Sequence, residues 1–464
     1  MHIPLHGGRC LAPLAPTAGM VPLGAELRAL VRLALPVSLS RAGLLLMTTI
    51  DTVMVGWAGP DQLAYLAIGL SPFVLLMLMG VATLTGTVVL VAQAHGAGEL
   101  REAGRIWQHA LLQALVLGGL SILVLSRTEL LFRLTGQTPA ITAGGAEVAF
   151  WLGLGMPGML GFLATTLYLE ALGRARPGVV VMLAGNLANI PLNQVLINGL
   201  LGLPAMGAAG AAFATSLVRW AMLAALAGYV LLAPSLRATG VRAPPRWSRA
   251  IQMRLLRLGM PFAISQGLET SAFQSVTLIC GWLGPTALAA FQIALNVTAL
   301  IYMATIGLAT ATAVRVGRSI GGGDTSTARL AAWLGLGVLL AVMLTLAPLL
   351  LAYAPAIARL YTQDAAVAEL TIRCLALVAV IIVFDGGQGV LTGALRGAAD
   401  VWRPMQIHVA SFWLILLPAS WLLAFPLRQG VIGLFGGILL GVGAAACLLL
   451  ARLIRLPWEA VARL

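Results

Sequence analysis

Three acids stand inside stretches that are otherwise nearly free of charge: Asp51, Glu269 and Asp385. A carboxylate in an apolar helix of membrane length costs roughly 2.5–3.5 kcal/mol on insertion scales, so it is rarely kept without a use. Ringed by amides and hydroxyls, it can hold a proton or a small hard cation, because Na+ takes oxygen ligands. Asp51 is flanked by Thr48, Thr49 and Thr52. Helical spacing puts Ser40, Leu44, Met47, Thr48, Asp51 and Met54 on one face. A second polar stripe holds Asn186, Asn189 and Asn193 around Pro191, and Thr215 lies in the apolar run after it. Interhelical hydrogen bonding alone is the other role open to these groups. Glu269 shares its face with Ser265, Gln266 and Phe273, and Asp385 with Gln388, Thr392 and Arg396. Gly386, Gly387 and Gly389 would let the helix bend at Asp385 or a neighbour approach it. Two acids in one apolar half-bundle favour a shared proton or a bound cation, which makes Glu269 and Asp385 the candidate Na+ site. Structural pairing with Arg373 or Arg219 is the competing assignment.

These acids sit in a chain built for a lipid bilayer. Hydrophobic residues are 60% of the total, charged residues 9%, and mean hydropathy is +0.98, outside the range of soluble domains. The net charge of +13 does not point to nucleic acid, because all 28 basic residues are arginines placed in short segments between apolar runs. Cys10, Cys280, Cys374 and Cys447 form neither a disulfide framework nor a metal pattern. His2, His6, His95, His109 and His408 are scattered, and no HExxH or GxSxG stretch suggests an intramembrane enzyme. The first twenty-odd residues lack an uninterrupted apolar core, so no cleavable signal peptide is expected.

Apolar runs long enough to span recur twelve times: 33–57, 65–92, 106–126, 147–170, 178–198, 207–232, 258–283, 288–314, 330–354, 367–395, 405–425 and 431–451. Arginines crowd the N-terminal tail and the segments after even-numbered runs. Those after odd-numbered runs hold only Arg127, Arg133, Arg359 and Arg428. Both termini are therefore expected in the cytoplasm. Pro36 and Gly56-Trp57-Ala58-Gly59-Pro60 recur 225 positions later as Pro261 and Gly281-Trp282-Leu283-Gly284-Pro285. Gly96 and Gly98 match Gly321 and Gly323 at the same offset, while Asp51 falls opposite Val276. The expected fold is all-α, with twelve transmembrane helices as two six-helix lobes in parallel repeat around a central cleft. The expected divisions are a disordered tail at 1–25, an N-lobe at 26–232, a solvated basic linker at 233–257 and a C-lobe at 258–464. Arg41 and Arg373 lie close enough to helix ends to reach the interface, whereas Arg219 is mid-span with no evident partner.

The stretches LPVSLSRAGLLLMTTIDTVMVG, VAQAHGAGE, NIPLNQVLINGLLG, LGMPFAISQGLET and VFDGGQGVLTGALRGAAD, in that order, resemble the multidrug and toxic compound extrusion (MATE) family, in particular its NorM-like bacterial branch. The resemblance implies an antiporter in the bacterial inner membrane that exports organic cations and drugs in exchange for Na+ or H+, with no other cofactor. It implies Asp51 as the N-lobe coupling acid, with Asn189, Asn193 and Thr215 as its network. It implies Glu269 and Asp385 as the C-lobe cation site, with Gln266, Gln388 and Thr392 in support. Met47, Met54, Phe273, Phe291 and Tyr302 are candidate contacts for flat cations, with ordinary helix packing as the alternative. A monomer is the expected working unit. A lipid-linked precursor flippase of similar fold is the runner-up.

Overall fold

The computed structural model describes residues 23–460 apart from 201 and 245. The expected tail lies outside the described residues up to 22, and helix already begins at Leu23. In chain order the first half holds α1 (Leu23–Trp57), α2 (Pro60–Leu84), α3 (Gly86–Gly96), α4 (Leu100–Leu125), α5 (Thr128–Leu134), α6 (Pro139–Leu154), α7 (Met156–Ala171), α8 (Arg176–Asn198) and α9 (Gly207–Leu232). The second half holds α10 (Arg249–Gly281), α11 (Pro285–Gly321), α12 (Thr325–Tyr361), α13 (Ala365–Gly397), α14 (Trp402–Ala410), α15 (Leu417–Ala424) and α16 (Gly430–Ile454).

Among the described residues, eleven helical stretches are long and apolar enough to cross a membrane by length and composition. The twelfth expected span is α10. Its 33 residues are ample length, but Ser265, Gln266, Glu269, Thr270, Ser271, Gln274 and Ser275 dilute its apolar content. Two spans are broken helices. The second is divided between α2 and α3 at Thr85, whose hydroxyl donates to the Ala82 carbonyl at 2.7 Å. The fourth is divided between α6 and α7 at Gly155, where an added Cβ would stand 2.4 Å from Ser216 Oγ. A third irregularity, a π-helical turn at Ser411–Leu416, joins α14 to α15. The two GWxGP endings make the same turn. Gly59 and Gly284 adopt φ of 127° and 99°, accessible mainly to glycine, and each is followed by a proline that starts a helix. Trp57 and Trp282 stand outward there, 77% and 71% exposed, as interfacial tryptophans do.

The halves form two lobes that meet through α1 on α11, α2 and α3 on α10, and α3 on α11. At the arginine-rich end the meeting is a backbone-to-backbone seal that only glycine permits. A Cβ on Gly96 would lie 1.9 Å from the Arg318 carbonyl, and one on its repeat partner Gly321 would lie 2.0 Å from that of Gln93. Gly259 faces the Thr83 carbonyl at 1.8 Å in the same sense, and Gly86 faces that of Leu255 at 2.8 Å. Arg315 adds an ion pair to the buried Glu26 of α1, and Arg318 donates to the Ala171 carbonyl at 3.0 Å. All of these contacts cross from lobe to lobe.

The stretch expected as a solvated basic linker keeps its arginines exposed, but it packs where Leu236 and Val241 fall. A 3-10 turn at Pro234–Thr239 buries Leu236 and Thr239, and Gln108 of α4 donates to the Val241 and Ala243 carbonyls. Residues 249–257 belong to α10, capped by the Ser248 hydroxyl. Apolar side chains at positions 236 and 241 gain more from packing on α4 than from water.

Because the seal depends on bare glycine, Gly96→Ala and Gly259→Ala should each force the arginine-rich ends apart. Spin labels at the exposed Arg101 and Ser326 would report this as a longer inter-label distance. An unchanged distance in both variants would show that the contact is not tight.

Candidate functional site

Asp51 sits at the centre of a closed N-lobe network. Asn189 and Asn193 donate to its Oδ1 at 2.6 and 2.7 Å, and the Thr215 hydroxyl donates to Oδ2 at 2.6 Å. Asn186, the third amide of the stripe, instead donates to the carbonyls of Gly43 and Met182 at 3.0 Å. Two of the three asparagines thus solvate the carboxylate, while the other holds α8 to α1. Arg219 lies near enough to feel the charge of Asp51. Its guanidinium rests 4.7 Å over the Phe73 ring, and its Nη1 is buried without a hydrogen-bond partner.

The N-lobe holds another acid that the sequence reading did not single out. Glu170, fully buried near the end of α7, takes the Arg41 guanidinium at 3.1 and 3.3 Å. Arg41 therefore does not reach for the membrane interface; it pairs inward across the lobe. The available signal was one base and one acid, each stranded in an apolar run of the same half. Arg373 pairs with Glu369 one turn away on an exposed face, so neither it nor Arg219 neutralises the C-lobe acids.

Between the lobes lies a cavity of about 250 Å³. Arg41, Leu44, Met77, Thr85 and Met159 line it from the N-lobe, and Phe262, Gln266, Glu269, Tyr302, Thr305, Gln388, Thr392 and Arg396 from the C-lobe. Glu269 thus opens onto shared space. Asp385 lies behind Gln388, whose amide donates to its Oδ1 at 2.8 Å. The Gln388 Oε1 is buried with no partner, a free carbonyl on the residue that holds Asp385. Glu269 and Asp385 lie within reach of each other's charge, and Tyr302 within reach of both. Thr392 contacts His408 at 3.3 Å, and Ser265 holds the other ring nitrogen at 2.8 Å.

Helix α13 runs unbroken past its three glycines. Gly386 and Gly389 admit Leu339 and Thr305 of neighbouring helices, so they serve close approach rather than a bend. Among the described residues no three His, Cys, Asp or Glu gather as a transition-metal site would need. Two carboxylates and an amide oxygen are instead the donor set that suits a hard monovalent cation.

Of the five expected drug contacts, Tyr302 alone lines this cavity. Met47 and Met54 are 2% and 8% exposed and pack inside the N-lobe, and Phe291 is fully buried 5.1 Å from Phe435. Phe273 is half-buried beside Phe412. The helical face that carries Asp51 points into its own lobe, toward α8 and α9, and takes the two methionines with it.

Two six-span lobes with an internal carboxylate in each and a cavity between them define a membrane transporter fold. The MatE family profile matches residues 36–195 and again 261–422, one match in each half. The chain belongs to the MatE family. It is 34% identical to a Caulobacter vibrioides protein named "Probable multidrug resistance protein NorM", over 97% of this chain and 96% of that one. It is 33% identical to "Multidrug resistance protein PmpM" of Pseudomonas aeruginosa, over 96% and 94%. Among solved structures, the eukaryotic MATE transporter AtDTX14 superposes with a TM-score of 0.86 at 21% identity, covering 95% of this chain and 98% of that one. A multidrug resistance MATE family transporter in an outward-facing conformation superposes at 0.83 with 23% identity, covering 91% and 94%.

Buried ion pairs and their parts behave differently when broken. Arg41→Met should destabilise by about 3–5 kcal/mol because it strands Glu170, whereas Arg41→Met with Glu170→Leu should recover most of that loss. Apparent melting temperatures in detergent would read both. A double replacement as damaging as the single would mean that the pair itself is not what holds α1 to α7.

Proposed function

We propose that this chain is a secondary active multidrug efflux transporter that exports organic cations and drugs in exchange for Na+ or H+. The observation that carries the reading is Glu269, opening onto a lobe-to-lobe cavity with Asp385 and an unfilled amide oxygen behind it. A monovalent cation entering that group offsets one of two buried negative charges and relieves their mutual repulsion. It thereby changes which lobe arrangement costs least. A cationic drug can claim the same negative charge from the cavity side, so drug and ion compete for it.

The arginine-rich connections belong on the cytoplasmic side of a bacterial inner membrane, with both termini there. On that orientation the glycine seal closes the cytoplasmic side. Arriving ions then come from the side of higher electrochemical potential. Each monovalent ion moved inward through 100 mV supplies roughly 2.3 kcal/mol, but exporting a monovalent cation costs the same amount. One-for-one exchange is therefore driven by the ion's concentration gradient, and a second ion is needed for the potential to contribute. Asp51, solvated by Asn189, Asn193 and Thr215 and closed off from the cavity, is suited to tuning how α1 packs rather than to contacting the drug.

Ethidium efflux from everted vesicles, driven separately by Na+ and pH gradients, tests the assignment. Glu269→Gln and Asp385→Asn keep size and hydrogen bonding but remove the titratable charge. Each should reach the membrane at normal levels and lose gradient-driven efflux by about tenfold or more. Wild-type efflux from either variant would make that acid structural.

A further inference from the structure

A cavity built only for cations would not carry an unpaired guanidinium in its wall. Arg396, on the same face of α13 as Gln388 and Thr392, lines the large cavity and a smaller pocket adjoining it. It is 8% exposed, and its guanidinium lies 4.8 Å over the Phe262 ring. Its Nε is buried with no hydrogen-bond partner. Among the described residues no carboxylate forms an ion pair with it. Asp400, which lines the same small pocket, is taken by Arg452 at 2.7 Å. Arg41 faces the cavity from the other lobe, near enough that the two positive charges oppose each other, and Arg41 is itself paired with Glu170.

A guanidinium removed from water and left without a counter-ion is costly, and stacking on an aromatic ring recovers only part of that cost. An anion arriving from outside would meet the remainder. The planar fork of arginine suits a carboxylate, which it can hold by two parallel hydrogen bonds. Glu269 provides the opposite charge on the same wall. Phe262 and Glu269 stand seven residues apart on α10, which is about 10 Å along the helix axis. Tyr302 lies within reach of both charges.

We propose that Arg396, laid over Phe262 at the sealed end of the cavity, is an anion subsite that receives the carboxylate of amphiphilic substrates whose cationic end lies toward Glu269. The subsite selects zwitterions over plain cations of the same shape. This rests on the efflux reading above for its physiological use, but not for its existence as a binding site.

A matched dye pair separates the two. Rhodamine B carries a cationic ring system and a carboxylate, and its ethyl ester has the same rings without the acid. Fluorescence anisotropy on the purified full chain in lipid nanodiscs gives both affinities. Arg396→Gln should weaken binding of the acid by about tenfold or more while leaving the ester within about twofold. Arg396→Lys, which keeps the charge and loses the fork, should weaken the acid less and leave the ester unchanged. Phe262→Leu should lower acid affinity without touching any charge. If Arg396→Gln is unstable, the lysine and leucine variants still decide. An acid-to-ester ratio that matches wild type in the variants, or equal losses for both dyes, overturns the subsite. Wild-type protein that binds the acid through Arg396 but exports neither dye under an ion gradient leaves the subsite standing and overturns the efflux reading.

Discussion

Hydrocarbon gives a charge nothing to bind, and the interior of this protein is organised by how each ionisable group answers that. Asp51 is met by three donors from α8 and α9. Glu170 and Arg41 meet each other. Glu26 is met by Arg315 across the lobe boundary. These groups are satisfied within the protein, and each one ties two helices together in doing so. Glu269, Asp385 and Arg396 are different. Their surroundings supply an amide, a phenol and an aromatic ring, but no full counter-charge. The groups around the cavity are left without a full counter-charge, and that incompleteness is what a transported ion and its substrate can act upon.

The duplication gives the lobes a common skeleton, and the substitutions within it give them different work. The repeated glycines at 96 and 321 make the same carbonyl contact in reciprocal directions, so the seal is symmetric about the lobe boundary. The charges are not. Asp51 stands opposite Val276, and Glu269 occupies a register with no acid in the first half. One lobe therefore encloses its acid while the other turns its acid toward the cavity. A symmetric frame that rocks about asymmetric charges can have its balance shifted by ions that engage one side only.

Much of this was legible in the sequence. Apolar runs, arginine placement and the Pro36/Pro261 repeat give the lobes, and the spacing of Asn189 and Asn193 places two donors on one stripe. The irregularities were hidden because they are tertiary. At the break by Gly155 the Ser216 hydroxyl of α9 donates to the Trp151 carbonyl at 2.6 Å, and the linker packs because α4 offers it a surface. Periodicity correctly placed Met47 and Met54 on the face of Asp51, but not which neighbour that face meets. Helical spacing puts Arg396 on the face of Asp385, Gln388 and Thr392, but not beside any particular neighbour. Only the position of Phe262, 134 positions earlier in the chain, shows that it lies over a ring in the cavity wall. Pairings such as Arg41 with Glu170, 129 positions apart, carry no local signal either.

The claim that drug and coupling ion compete for the C-lobe carboxylates is tested most directly by equilibrium binding, without any transport step. The affinity of the purified protein for tetraphenylphosphonium, an organic cation without an acid group, would be titrated against Na+ and against pH. In wild type, affinity should fall as Na+ or protons increase. In the double variant Glu269→Gln/Asp385→Asn it should be weak and flat, while Asp51→Asn should keep the dependence. A double variant whose affinity still responds to the ions as wild type does, or an Asp51→Asn variant that alone loses the response, would contradict this account.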